Sequence, residues 1–146
     1  MKIGVSSCLL GCNCKYNGGN NYSEKLAAYL QGHEVIGVCP EVLGGLPTPR
    51  KPAEIVDGEV KRADGVSVDA QFRAGAERAL EILLEEKAEL VILQSRSPSC
   101  GVHAVYDGTF SGTVIPGEGV FAKLLKEQGI PVLDVADDEI QAATVK

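Results

Sequence analysis

The constraint that most limits the fold is an order of elements. The stretch "DAQFRAGAERALEILLEEK" (Asp69–Lys87) runs straight into "ELVIL" (Glu89–Leu93). In the first, Phe72, Ala76, Ala79, Leu80 and Leu83 recur at helical spacing, so one face must be buried, and Asp69 stands where an N-cap belongs. The second is apolar at consecutive positions, the pattern of a strand covered on both faces as in a parallel sheet. The same alternation recurs on either side. A strand over Lys2–Ser6 precedes a helix over Ser23–Leu30, with Ser23 as its cap, and a strand over Glu34–Val38. Later, a helix over Gly119–Gln128 stops at Gly129 before the strand "IPVLDV". Strands alternating with helices predict an α/β fold with a mostly parallel sheet flanked by helices. Only Ile55–Val66 breaks the rhythm, its "VDGEV" signalling a hairpin. Leu43–Pro52 reads as a loop too short to link domains, and 146 residues suit a single domain over 1–146.

Composition removes several function classes. A net charge of −6 argues against a general nucleic-acid binder, which needs a basic surface to displace counterions. No apolar run reaches the ~20 residues that span a bilayer, and "MKIGVSSCLL" makes a poor signal peptide. A cytoplasmic location with no membrane partner follows as the expectation, while nothing in the sequence specifies an oligomeric state. In a reducing compartment an odd number of cysteines, five, does not read as a disulfide framework. Metal binding or catalysis is the better use for the thiols.

Three of those thiols follow three predicted strands: Cys8 after "KIGVS", Cys39 after "EVIGV" and Cys100 shortly after "ELVIL". Ligands of open parallel sheets bind outside the carboxyl ends of the strands, where residues distant in sequence meet. The flanks "CPE" and "SPSCG" are polar and rich in turn residues, unlike the surroundings of a packing cysteine. The pattern by itself fits zinc, an iron–sulfur cluster or three unrelated loop thiols. Zinc favours four ligands and paired Cys-x2-Cys knuckles; here Cys12 and Cys14 are only two apart, and His33 and His103 have no metal-motif spacing. A cluster held by three cysteines leaves one iron open to a substrate.

Four blocks, "SSCLLGCNCKYNGG", "CPEVLGGLPTPRKPAE", "SPSCG" and "YDGTFSGTVIPGEGV", together resemble the DUF523 family, which includes the thiouracil desulfurases. They span nearly the whole chain. The resemblance implies a Rossmann-like domain binding a 4Fe–4S cluster through three cysteines. It also implies removal of sulfur from a thiolated base such as 2-thiouracil without net redox change. Carried over by motif, the ligands are Cys8, Cys39 and Cys100, with Cys14 competing for a place and Cys12 the weakest candidate. The implied acid/base pair is Glu41, two residues beyond Cys39, and Ser97, three before Cys100. The chain departs from the family just before "SPSCG", where Gln94 and Arg96 stand in place of a lysine-containing stretch.

The residues suit this chemistry. A soft thiocarbonyl sulfur binds an open iron, and Glu41 can take a proton from the attacking water. Arg50 in "PTPRKP" is a candidate for holding an anionic or carbonyl edge of the substrate. The rival readings are a thiol oxidoreductase using Cys12 and Cys14, an iron–sulfur or zinc module without desulfurase activity, and a small-molecule-binding domain.

Overall fold

The computed structural model describes residues 1–144. Its centre is a four-stranded parallel sheet in the order β2-β1-β5-β8. These strands are β1 (Lys2–Ser6), β2 (Glu34–Val38), β5 (Leu90–Leu93) and β8 (Val132–Asp134). The covalent order explains the spatial one. Helix α1 (Glu24–Leu30) carries the chain from β1 to its neighbour β2, and α3 (Asp69–Glu85) precedes β5 on the other side of β1. Helix α4 (Val120–Glu127) then leads into β8. The α/β class and the parallel sheet expected from the pattern are both present.

Each face of the sheet has its own core. Val91 and Leu93 of β5 pack with Ala76, Ala79, Leu80 and Leu83 of α3 and with Phe121, Ala122 and Leu125 of α4. Ile3, Val5 and Ile92 face the other way, onto Leu26 and Leu30 of α1 and Ile140 of α5 (Asp138–Gln141). Alternate residues of β1 and β5 thus serve opposite layers, as the period of two in a strand requires. Ser23 caps α1 through a 3.1 Å bond from the Leu26 N–H to its hydroxyl. Asp69 does not cap α3. It is the first helical residue, and its carboxylate instead accepts the Val60 N–H at 3.0 Å and pairs with Arg73 at 2.7 Å.

Two hairpins lie outside the sheet. One, β3 (Ala53–Val56) with β4 (Glu59–Arg62), turns at Asp57 and Gly58, both at positive φ, as the "DG" pair predicts. The other, β6 (Ala104–Tyr106) with β7 (Val114–Pro116), has no counterpart in the sequence reading. Nor has α2 (Pro40–Leu43), a single turn inside the region read partly as loop.

Helix α2 lies against α3 with no room for side chains between the backbones. A Cβ on Gly75 would overlap the Pro40 carbonyl, and one on Gly44 would overlap the Gln71 carbonyl. Glycine at both positions is therefore what lets α2 dock. On helix propensity alone, Gly75→Ala would stabilise α3 by ~1 kcal/mol. The clash reverses the sign: urea denaturation of Gly75→Ala will show a loss of about 1–3 kcal/mol, and a gain in stability would remove this contact from the account.

Candidate active site

The carboxyl ends of β1, β2 and β5 each release the chain into a cysteine-bearing turn. Ser6, the last residue of β1, is buried, and its hydroxyl accepts the Gln94 N–H at 3.1 Å, fastening the end of β1 to the exit of β5. The chain then makes a 3₁₀ turn over Ser7–Leu10, with Leu9 anchored in the core and Gly11 at φ 92° closing it. Cys8 sits in this turn. Asn21 grips it twice: its N–H donates to the Cys8 carbonyl at 2.8 Å and its side-chain amide to the Cys8 Sγ at 3.5 Å. The sequence reading did not single out Asn21.

Cys39 ends β2 and caps α2, whose first residue is Pro40; the Leu43 N–H returns to the Cys39 carbonyl at 2.9 Å. Glu41 projects from the first turn of α2. The Cys39 Sγ lies 4.0 Å from the Cys14 carbonyl oxygen, so the loop after the 3₁₀ turn folds back over β2. Cys14 is buried there, whereas Cys12 is exposed.

The third turn, "SPSCG", is built around Ser97. Its Oγ accepts the N–H groups of Ser99 at 3.2 Å and Cys100 at 3.1 Å. The beginning of α4 is stitched to the same turn, with Val120 N–H on the Pro98 carbonyl at 2.9 Å and Phe121 N–H on that of Ser99 at 2.8 Å. Ser99, also absent from the sequence reading, is the residue that reaches Glu41. Its hydroxyl donates to Oε2 at 2.9 Å, lies 2.9 Å from the Ser97 hydroxyl and 3.6 Å from the Cys100 Sγ. The other carboxylate oxygen of Glu41 accepts from Arg50 Nε at 3.1 Å. Ser97, Ser99, Glu41 and Arg50 thus form one hydrogen-bonded line past the thiols.

All five cysteines are free thiols. Burial pushes the Cys100 thiol up to about 12, with Glu41 and Cys8 adding to the rise and hydrogen bonds from Ser6 and Ser99 opposing it. Burial also raises Cys8, against the Asn21 amide, with further increments from Cys39 and Glu41. Cys14 rises through burial and then through Cys39 and Cys12. Cys8 thus feels the charge of Cys39 and Glu41, and Cys100 that of Glu41 and Cys8. Among the described residues, no three His, Cys, Asp or Glu side chains converge on a point that would hold a single ion. A polynuclear group does not require such a point, because each thiolate takes its own metal. The donor set, three thiols following three strand ends with the Asn21 amide donating to Cys8, fits such a group.

The remaining candidates lie elsewhere. His33 is exposed, and His103 is exposed and pairs with Asp137 at 2.9 Å. Gln94 contributes its backbone to the Ser6 tie, and Arg96 is an exposed residue at φ 61°. A cavity of about 260 Å³ between α3, α4 and the β3–β4 hairpin contains no cysteine. Of its charged lining residues, Arg73 pairs with Asp69 and Glu118 with Lys126, while Glu77, Lys123 and Glu127 line it as well.

An α/β domain with three strand-end thiols and an adjacent carboxylate is the class of protein that fold and site define. A model of the 2-thiouracil desulfurase family matches residues 3–137, and the chain belongs to that family. It is 42% identical over 139 residues to the uncharacterized protein YbbK of Bacillus subtilis (strain 168), covering 88% of this chain and 92% of that one. Among solved structures it is similar to the [4Fe-4S]-dependent thiouracil desulfidase TudS, with a TM-score of 0.86 and 40% identity over 97% of this chain and 94% of that chain.

Exposure and thiol acidity together set an order of reactivity. In reduced, metal-free protein treated briefly with iodoacetamide at pH 8, mass spectrometry will find Cys12 modified first and Cys100 last. Early labelling of Cys100 would contradict the burial described above.

Proposed function

We propose that the protein is a 4Fe–4S-dependent desulfurase that hydrolyses the C–S bond of a thiolated nucleobase such as 2-thiouracil, giving uracil and hydrogen sulfide. What supports this reading is that Cys8, Cys39 and Cys100 follow three neighbouring parallel strands, with Glu41 hydrogen-bonded to Ser99 next to Cys100, in a chain of the 2-thiouracil desulfurase family. The known relative TudS is described as [4Fe-4S]-dependent and as a thiouracil desulfidase. The whole chain acts as one domain, working on a free small molecule in the cytoplasm. Its net charge of −6 gives no general basic surface for a nucleic acid, so the reading assigns it neither a nucleic-acid nor a membrane partner.

Cys8, Cys39 and Cys100 would hold the cluster, and Cys14, whose carbonyl backs Cys39, is the alternative ligand. When bound, the cluster supplies a Lewis-acidic iron for the soft thiocarbonyl sulfur. The chain's own groups handle protons. Glu41 takes a proton from the water that attacks the carbon bearing sulfur, and both its oxygens are oriented for this by Arg50 and Ser99. Ser97 is the second acid/base group, joined to Glu41 through the Ser99 hydroxyl. Its two accepted backbone bonds also make it the cap of the turn that presents Cys100. Overall, water's oxygen replaces sulfur on the ring and its two protons leave with the sulfur, so no electron donor or acceptor is consumed.

Anaerobic reconstitution with iron and sulfide, followed by incubation with 2-thiouracil, tests the reading directly. A brown protein releasing sulfide and uracil in equal amounts is the expected result; a cluster without sulfide release would leave a metal-binding module. Cys8→Ser will lose stable iron while Cys12→Ser keeps the wild-type content, and equal losses would show that the first cysteine loop binds as a unit. Glu41→Gln preserves shape but not basicity. It will keep its iron and slow sulfide release by about 10²-fold or more, measured on the same sample.

A further inference from the structure

Arg50 lies in the loop after α2, with a side chain only 8% exposed. Every nitrogen of its guanidinium is engaged within the protein. Nε donates to Glu41 at 3.1 Å, Nη1 to the Pro47 carbonyl at 3.2 Å and the Thr48 hydroxyl at 3.1 Å, and Nη2 to the Cys14 carbonyl at 2.9 Å. Its backbone N–H donates to the Tyr16 carbonyl at 2.6 Å. Four of its five guanidinium N–H donors are thus committed to the walls of the site, which suits Arg50 to positioning its neighbours rather than to gripping an edge of the substrate.

We propose that Arg50 is a positioning residue for the reaction, fixing the plane of the Glu41 carboxylate and tying the Cys12–Tyr16 loop to the helix that carries Glu41. The proposal rests on the desulfurase reading above. Three segments meet at this one side chain: the cysteine loop through Cys14, α2 through Glu41, and the Pro47–Thr48 turn. Only a planar fork reaches all of them together; a lysine ammonium is a point charge on a flexible stem. With Ser99 holding Oε2, the two Glu41 oxygens have separate partners, and carboxylate rotation is arrested before substrate arrives. Misplacing a reacting group by about 1 Å can cost 10²-fold in rate.

The test compares wild type with Arg50→Lys, Arg50→Gln and Arg50→Ala. In metal-free protein, the Arg50 Nε–H resonance is expected to be resolved and protected from exchange in wild type, and to shift and lose protection in Glu41→Gln. In reconstituted protein, iron content and the visible circular dichroism of the cluster should match wild type in all three Arg50 variants. The value of kcat for 2-thiouracil should fall by about 10–100-fold, while KM stays within about threefold. Millimolar methylguanidinium should restore part of the rate to Arg50→Ala and none to the double variant with Glu41→Gln. A raised KM with unchanged kcat would make Arg50 a substrate contact and overturn the proposal; loss of iron from all three variants would make it a structural clamp and do the same. If wild type carries iron yet releases no sulfide, the desulfurase reading fails separately. The Nε–H signal then decides alone: insensitivity to Glu41→Gln overturns the proposal, and a shift with lost protection upholds the Arg50–Glu41 hold.

Discussion

The site depends on the backbone contact of α2 with α3 at Gly44 and Gly75. Helix α2 is four residues long and could not persist alone, since a helix nucleus costs more than one turn returns. Packed against the seventeen-residue α3, it becomes part of a rigid layer whose other side is the core of the sheet. Cys39 and Glu41 lie at the N-terminal end of that turn, so their separation from Cys8 and Cys100 is set by helix–helix packing rather than by a loop. Side chains at the contact would lift α2 off its support and carry the carboxylate away from the thiols.

A second layer of order is polar. The Ser97, Ser99, Glu41 and Arg50 side chains form a continuous set of hydrogen bonds in a half-buried place. There, hydrogen bonds gain strength from the low dielectric, and an unpaired member would be costly. The same burial raises the pKa of the Cys8 and Cys100 thiols. Thiolate ligation of any metal releases protons, so assembly of a cysteine-held cluster is coupled to pH as well as to iron and sulfide supply.

The long regular elements were legible because each has one strong period: helical spacing in Asp69–Glu85, unbroken apolarity in Leu90–Leu93, and a serine at the start of Glu24–Leu30. Cys8, Cys39 and Cys100 each follow a strand of the sheet, as the order of elements indicated. What escaped is short or made by distant partners. Strands β6 and β7 have three residues each and no apolar period, and α2, with four residues, is too short to show a helical one. Asn21 is read as loop until the fold brings its amide to Cys8, and Ser99 meets Glu41 across 58 positions of sequence. Asp69 shows the converse: its local signal is that of a cap, and a tertiary partner, the Val60 N–H, takes its carboxylate instead.

The turns that present Cys8 and Cys100 are held by groups other than sulfur: Asn21 and Leu9 for one, Ser97 and the start of α4 for the other. Small metal-dependent domains whose fold is built on the metal collapse when it leaves. In this chain the two turns have hydrogen-bond and packing partners of their own. Such contacts fix where the two sulfurs sit, so their placement is set by the fold and not moulded by a metal. Cys12 is exposed while Cys14 and Cys100 are buried, so an oxidant arriving from solvent meets Cys12 before those deeper thiols.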